Sequence, residues 1–417
     1  MAKEIQRDEQ GRPIYGATVQ IAALLVITMQ YVQSFVSPAL GTVRKAYAGI
    51  GVNDTDIANI QGIPSLMAIF GSILVGVLER FLKKKTILAI ALVLMFGGSL
   101  AGLCPETETG FTMLLGTRVM LGLGRGMIFP MASSFIADLF FGAQKARLMS
   151  WKTAVGGLSG TLFQTIGGLL AVMSWRYAFF GMLMWVPIAI LCLVWLKEPE
   201  VKKAGQADDG SKGNALKSIS AAAWVMFVIF GIWNIFQFVF MGNATLVIKD
   251  MGLGESDIAG YIMSFETAMS AVGALLYPFW RGKVGGFDMV IAIAGEALGY
   301  TLIVTMGSST PMFLLGTALY GLGFGTFNPI LILQLVHVLP KEGATLGLAL
   351  LSGAQNFCQF LSANVLAMVG AKTAIQKFEF GMYGAWFYFV MILVILIVLK
   401  IKAPQLIATL NVKAQEK

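Results

Sequence analysis

Charge is scarce in this sequence. Of its 417 residues only 12% are Asp, Glu, Lys or Arg, about half the share of a soluble domain. Cysteine and histidine are scarcer still. Cys104, Cys192 and Cys358 stand far apart with no CxxC or metal-ligand spacing, so they read as packing residues and not as a disulfide frame or a zinc site. The sole histidine, His337, falls at the end of an apolar run, where an interfacial place suits it. No metal and no cofactor is expected. HExxH, GxSxG and a paired-carboxylate motif are absent from the apolar runs, and so is a Walker loop, which argues against an enzyme of those classes and against the use of ATP. GLGRGM has the glycines of a nucleotide loop but follows no strand. Residues 1 to 16 lack a short apolar stretch with a cleavage site and read as a retained tail.

What fills the chain instead is apolar: 57% of residues are hydrophobic and the mean hydropathy is +0.77. Apolar runs recur along the whole length, long enough to span a hydrocarbon slab of ~30 Å at 1.5 Å per residue. Bounded by charge, Gly, Pro, Asp or Asn, they predict twelve helices at 17 to 40, 56 to 80, 86 to 104, 111 to 138, 147 to 172, 177 to 196, 219 to 247, 257 to 280, 288 to 306, 311 to 338, 344 to 370 and 380 to 401. The longest polar stretch, 197 to 218, is rich in charge and glycine and reads as a cytoplasmic linker. The chain therefore divides into an N-tail (1 to 16), a six-helix bundle (17 to 196), that linker, a second six-helix bundle (219 to 401) and a C-tail (402 to 417).

The net charge of +8 punctuates the apolar runs and does not cluster beside aromatic platforms, so nucleic acid is not an expected partner. An even number of spans puts both termini on one side. Assigning the tails and even-numbered loops to the cytoplasm places 21 of the 30 Lys and Arg there and 6 opposite, with Arg118, Arg125 and Lys152 inside helices. That bias predicts cytoplasmic termini. The two bundles are also copies: LLGT at Leu114 returns at Leu314, and GLGxGxxxP at Gly122 returns at Gly321. A match at equivalent places in the fourth and tenth helices indicates a duplicated six-helix unit.

These motifs resemble the major facilitator superfamily over nearly the whole chain. Members carry GxxxDRxGRR after the second helix, and here Glu79, Arg80, Lys83 and Lys84 match while Val75 and Leu82 replace both glycines. Such a loop is expected to latch the two halves through carboxylate and cation contacts, which makes Glu79 and Arg80 candidate gating residues; a plain positive-inside anchor is the other reading. The equivalent loop after the eighth helix, Gly282, Lys283, Val284 and Gly285, has lost its acid and reads as a turn. Helix 4 matches best, from Arg118, Gly122 and Gly124 through Phe129, Pro130, Ala137 and Asp138 to Arg147. Proton-coupled drug exporters of the superfamily carry GxxxGPxxGG in helix 5; aligned on Gly167 and Gly168, this chain has Phe163 and Gln164 in place of Gly and Pro.

A charge at the bilayer centre costs at least ~2.5 to 3.5 kcal/mol, so each intramembrane ion is a candidate for function. Arg118 and Arg125 are two helical turns apart and share a face of helix 4, ~10 Å apart along it. The resemblance places helices 1, 4, 7 and 10 around a central cavity, where guanidinium forks would suit a carboxylate, phosphate or sulfonate. Arg118 is alternatively the structural arginine of the helix 4 motif. Glu266 and Glu296 lie near the middles of helices 8 and 9, and a carboxyl that can shed its charge by protonation is what proton coupling needs. Helix 8 is expected to border the cavity and helix 9 to face lipid, which ranks Glu266 first. Both carboxyls can also be structural. Gln30, Tyr31, Gln33, Asn234, Gln237, Tyr320, Asn328, Gln355 and Asn356 supply a hydrogen-bonding lining, with Gln164 and Lys152 in helix 5 as weaker candidates; Lys152 can simply snorkel to the interface.

The sequence therefore predicts an all-α membrane protein of twelve helices in two pseudo-symmetric bundles. It is expected to be a secondary transporter that moves a small organic anion by alternating access, coupled to protons in symport. Drug or metabolite efflux is the alternative within transport, and a non-transporting membrane sensor of the same fold is the alternative outside it. The expected partners are the small-molecule solute, H+ and the lipid bilayer, the expected state a monomer, and the expected location the inner membrane of a prokaryotic cell.

Overall fold

A computed structural model describes residues 15–79, 81–199, 221–280, 284, 287–338 and 344–402. The chain divides into two compact units, Met1–Gly205 and Gln206–Lys417, and neither contains a strand among the described residues. Unit 1 holds α1 (Ala17–Ala46), α2 (Asp54–Leu78), α3 (Lys84–Leu103), α4 (Glu108–Leu139), α5 (Gly142–Met173) and α6 (Trp175–Trp195). Unit 2 holds α7 (Ala221–Asp250), α8 (Ser256–Trp280), α9 (Asp288–Met306), α10 (Thr310–Val338), α11 (Ala344–Met368) and α12 (Ala374–Lys402). Among the described residues ten segments, one in each helix but α10 and α11, are long and apolar enough to cross a bilayer.

Helix ends are set by local chemistry. Asn53 and Asp56 close a reciprocal capping box at the start of α2: Asn53 Oδ1 accepts from Thr55 N at 2.8 Å and Asp56 N at 3.0 Å, and Asp56 Oδ2 accepts from Asn53 N at 3.1 Å. The start of α3 is capped from far along the chain. Glu198, just past α6, accepts from the backbone N–H of Lys84 at 2.8 Å and of Lys85 at 3.0 Å, placing a carboxylate on the positive end of the helix. The largest boundary shifts are at α1, which runs to Ala46 where 40 is expected, and at α12, which starts at Ala374 where 380 is expected. Arg44 and Lys45 stop the apolar run of the first, and Lys377 that of the second. Charge marks the edge of the hydrocarbon layer, whereas the helix continues into the interface.

Bilayer lipid is as apolar as leucine, so helix association depends on close backbone approach. The repeated glycines provide it. In unit 1 a Cβ on Gly126 would strike the Ala68 backbone of α2, and one on Gly122 would stand 2.7 Å from Pro64 Cα. In unit 2 a Cβ on Gly325 would strike Ser270 of α8, and one on Gly321 would stand 2.6 Å from the Glu266 carbonyl. The α2–α4 contact therefore recurs as α8–α10, which is why GLGxG is written twice. Side chains such as Phe70, Val93, Leu158, Phe279 and Phe387 stay exposed, as lipid-facing groups should.

Short 3-10 stretches occur in α3 (Leu100–Leu103) and α6 (Met182–Met184), and a longer one in α1: α-helix gives way after Thr28 to a 3-10 helix of 7 residues, Met29–Phe35, and resumes at Leu40–Ala46. Such runs seldom exceed about 3 to 4 residues, and within a longer helix they often mark a functional hinge.

Candidate functional site

That 3-10 stretch carries Gln30, Tyr31 and Gln33. Gln33 Nε2 donates to the Gln61 carbonyl of α2 at 3.1 Å, which fixes the amide's orientation and leaves its buried Oε1 without a hydrogen-bond partner. One turn on, Ser65 Oγ donates to that same carbonyl at 3.4 Å and accepts from Arg125 Nη2 of α4 at 3.5 Å. The Tyr31 phenol is within electrostatic reach of the Arg125 guanidinium. Glycines of α5 make room for the Tyr31 ring: a Cβ on Gly156 would stand 2.7 Å from its Cε2 and one on Gly160 3.1 Å from its Cδ1.

Within this chain of contacts Gln33 Oε1, Gln61 Nε2 and Arg125 Nε are buried with no partner, as is Oε1 of Gln30, the residue before Tyr31. Buried polar atoms are normally paired. These four atoms of α1, α2 and α4 leave two donors and two acceptors free. Among the described residues no carboxylate pairs with Arg125.

Arg118 is placed differently. It is fully buried, donates to the Gly98 carbonyl of α3, and lies 4.8 Å from the Phe179 ring of α6, with Met182 Sδ 3.9 Å from Nη1. The shared helix face expected for the two arginines does not make one site of them. Their long side chains lead away from each other, Arg118 toward α3 and α6, Arg125 toward α1 and α2.

Glu79 pairs with Lys84 at 3.5 Å, and Lys84 also pairs with Asp138 and donates to Ser134 of α4. These contacts all lie inside unit 1 and tie the α2–α3 loop to α4. Arg80, Gly282, Lys283, Gly285 and the His337 side chain lie outside the described residues. Gln164 in α5 is buried and bonded.

In unit 2 the polar centre is Glu296. Its Oε2 accepts from Trp233 Nε1 of α7 at 3.1 Å and from Gln237 Nε2, while Oε1 is buried without a partner. Gln237 Oε1 in turn accepts from the Tyr320 hydroxyl of α10 at 2.6 Å. The lipid-facing place expected for helix 9 does not extend to Glu296, whose carboxyl lies on the polar groups of α7 and is linked through Gln237 to Tyr320 of α10. Glu266 is also buried, and its Oε2 accepts from Thr267 Oγ1 at 3.3 Å. Asn234 and Asn356 donate to carbonyls one turn back, of Phe230 and Ser352, at 2.9 and 2.8 Å. Asn328 and Gln355 are half-buried. The repeat position of Arg125 is Phe324, which stacks on Trp233 with centroids 5.6 Å apart. One duplicated framework therefore carries a cation in unit 1 and an aromatic face in unit 2.

Gln61 and Ser65 were not singled out by sequence. Their signal is a polar pair at i and i+4 inside an apolar run.

The sequence signature of the Major Facilitator Superfamily matches residues 21–363. The chain belongs to this superfamily. Among curated relatives, the multidrug transporter protein MdtP of Bacillus subtilis is 21% identical over 64% of this chain and 60% of MdtP. The quinolone resistance protein NorA of Staphylococcus aureus is 27% identical over 36% of this chain and 38% of NorA. The chain thus spans less than two thirds of the length of either relative. Among solved structures, that of the nucleoside transporter NupG superposes with a TM-score of 0.68 at 15% identity, covering 89% of this chain and 96% of NupG. That likeness extends to the fold.

Proposed function

We propose that this superfamily member is a secondary active transporter of a small carboxylate-bearing solute, with Arg125 receiving the carboxylate. One observation carries the reading: the Arg125 guanidinium lies midway along α4 with a buried, partnerless Nε and no carboxylate beside it among the described residues. A solute carboxylate would supply the acceptors of a charge-assisted fork. Gln61 would donate a further bond, and Gln30 and Gln33 would accept from a hydroxyl or amine on the same solute. Arg118, whose partners are all within unit 1, holds the fold. Transport runs by alternating access in the inner membrane of a prokaryotic cell, by a monomer with both termini in the cytoplasm, the orientation favoured by its 21 to 6 distribution of Lys and Arg.

Coupling is assigned to protons in symport. Glu296 supports it, since a carboxyl with one oxygen bonded and the other bare can gain or lose a proton without rebuilding its neighbours. Glu266 is the second coupling candidate. Efflux of drugs or metabolites is the alternative, favoured by the names of MdtP and NorA and by the aromatic face of Trp233 and Phe324. Uptake into proteoliposomes of a panel of carboxylates, sugars and cationic dyes, with and without a pH gradient, separates the two. Movement of carboxylates driven by the gradient supports symport; movement of dyes without carboxylates overturns it.

A further inference from the structure

Lys152 is a second cation inside a helix with no counter-charge among the described residues. It sits in α5, its ammonium donating to Ser133 Oγ of α4 at 2.6 Å and lying 5.5 Å from the centroid of the Phe129 ring. Neither neighbour is negative. Among the described residues the acids of unit 1 lie elsewhere: Asp54 with Arg44, Asp56 in its cap, Glu79 and Asp138 with Lys84, Glu106 with Arg176, Glu198 on the α3 N-terminus, and Glu108 in the first turn of α4, 25 residues before Ser133. A lysine that only snorkels keeps its ammonium in water. This one is bound to a neighbouring helix and set against an aromatic ring.

Along α4 the order is Arg125, Phe129, Ser133. Ser133 is eight residues from Arg125, a rise of ~12 Å. Two cations anchored at points that far apart along α4 offer an anion successive stations.

We propose that Lys152 is a second anion station in unit 1, reached by water, through which a carboxylate passes on its way to or from Arg125. Its cargo rests on the carboxylate reading of Arg125, but its charge and water access can be tested without any substrate. Phe129 is replaced by cysteine in a chain whose Cys104, Cys192 and Cys358 are changed to alanine. Membranes are then labelled with anionic sulfonatoethyl and cationic trimethylammonioethyl methanethiosulfonate. Each rate is normalised to that with a small thiol in solution.

At the 5.5 Å between Lys152 Nζ and the Phe129 ring, a single cation in water separates reagents of opposite charge by about tenfold in rate. The expected result is an anion preference of about that size, kept by Lys152→Arg and lowered several-fold by Lys152→Gln, with Arg125, one turn away along α4, supplying what remains. Lys152→Met repeats the comparison if the glutamine variant does not fold. A preference unchanged by either neutral variant overturns the proposal, and so does the absence of reaction with both reagents. If the preference holds while carboxylates are not transported, the station stands and the cargo assigned through Arg125 is wrong.

Discussion

Glu296 allows its bonding to be separated from its charge. Glu296→Ala removes the acceptor of two buried donors, Trp233 Nε1 at 3.1 Å and Gln237 Nε2. Each orphaned donor costs about 1 to 3 kcal/mol, so the variant should lose about 2 to 6 kcal/mol of unit 2 stability before any cavity is counted. Glu296→Gln keeps an oxygen where Oε2 stands and puts its amide nitrogen where Oε1 already lacks a partner. Its loss should stay below about 2 kcal/mol. Denaturant unfolding in detergent, followed by tryptophan fluorescence, measures both variants. Equal stability of the two would mean that the donors find other partners and that the network does not hold α7 to α9. In proteoliposomes, Glu296→Gln fixes the group neutral. Substrate counterflow should persist while accumulation driven by a pH gradient is lost. Accumulation with a wild-type response to pH would remove Glu296 from coupling and leave Glu266 to be tested the same way.

Further outcomes follow from the same structure. Glu198→Ala uncaps α3 and should cost about 1 kcal/mol in unfolding measurements without changing the KM of transport. Arg118→Lys keeps a cation but loses the fork that reaches Gly98 from α4; it should lower stability by about 1 to 3 kcal/mol, again at unchanged KM. Gly126→Leu drives a side chain into the Ala68 backbone, so monodisperse protein should be lost on size-exclusion chromatography, whereas the same change at Gly116, whose Cβ would meet nothing within 4 Å, should be tolerated.

Hydropathy made most of the fold legible, because a bilayer sets one length for every span and the apolar runs report it directly. It failed at the ends of α1 and α12, where charge at the interface looks like a helix end and is not one. The repeat was legible because GLGxG serves a backbone contact made twice, α4 on α2 and α10 on α8. The site was legible in part. Arg125, Gln30, Tyr31 and Gln33 announce themselves as polar groups in apolar runs, but the 3-10 form of Met29–Phe35 does not follow from residue types. Neither does the divergence of Arg118 from Arg125, since their helical spacing places two Cβ atoms on one face and says nothing of where long side chains lead. The inward turn of Glu296 was hidden for a related reason: helix 9 is apolar on most sides, and only the Trp233 and Gln237 donors on α7 reveal which way its carboxyl points.

The central claim is that the Arg125 guanidinium is the group that receives the solute. The measurement that tests it most directly is the concentration dependence of carboxylate uptake by wild type, Arg125→Lys and Arg125→Gln in proteoliposomes, at matched protein and verified folding. Loss of charged hydrogen bonds worth about 1.5 to 3 kcal/mol predicts a KM raised about 10- to 100-fold in Arg125→Gln, with partial recovery in Arg125→Lys, which keeps the charge and loses the fork. Uptake by Arg125→Gln at the wild-type KM would contradict it.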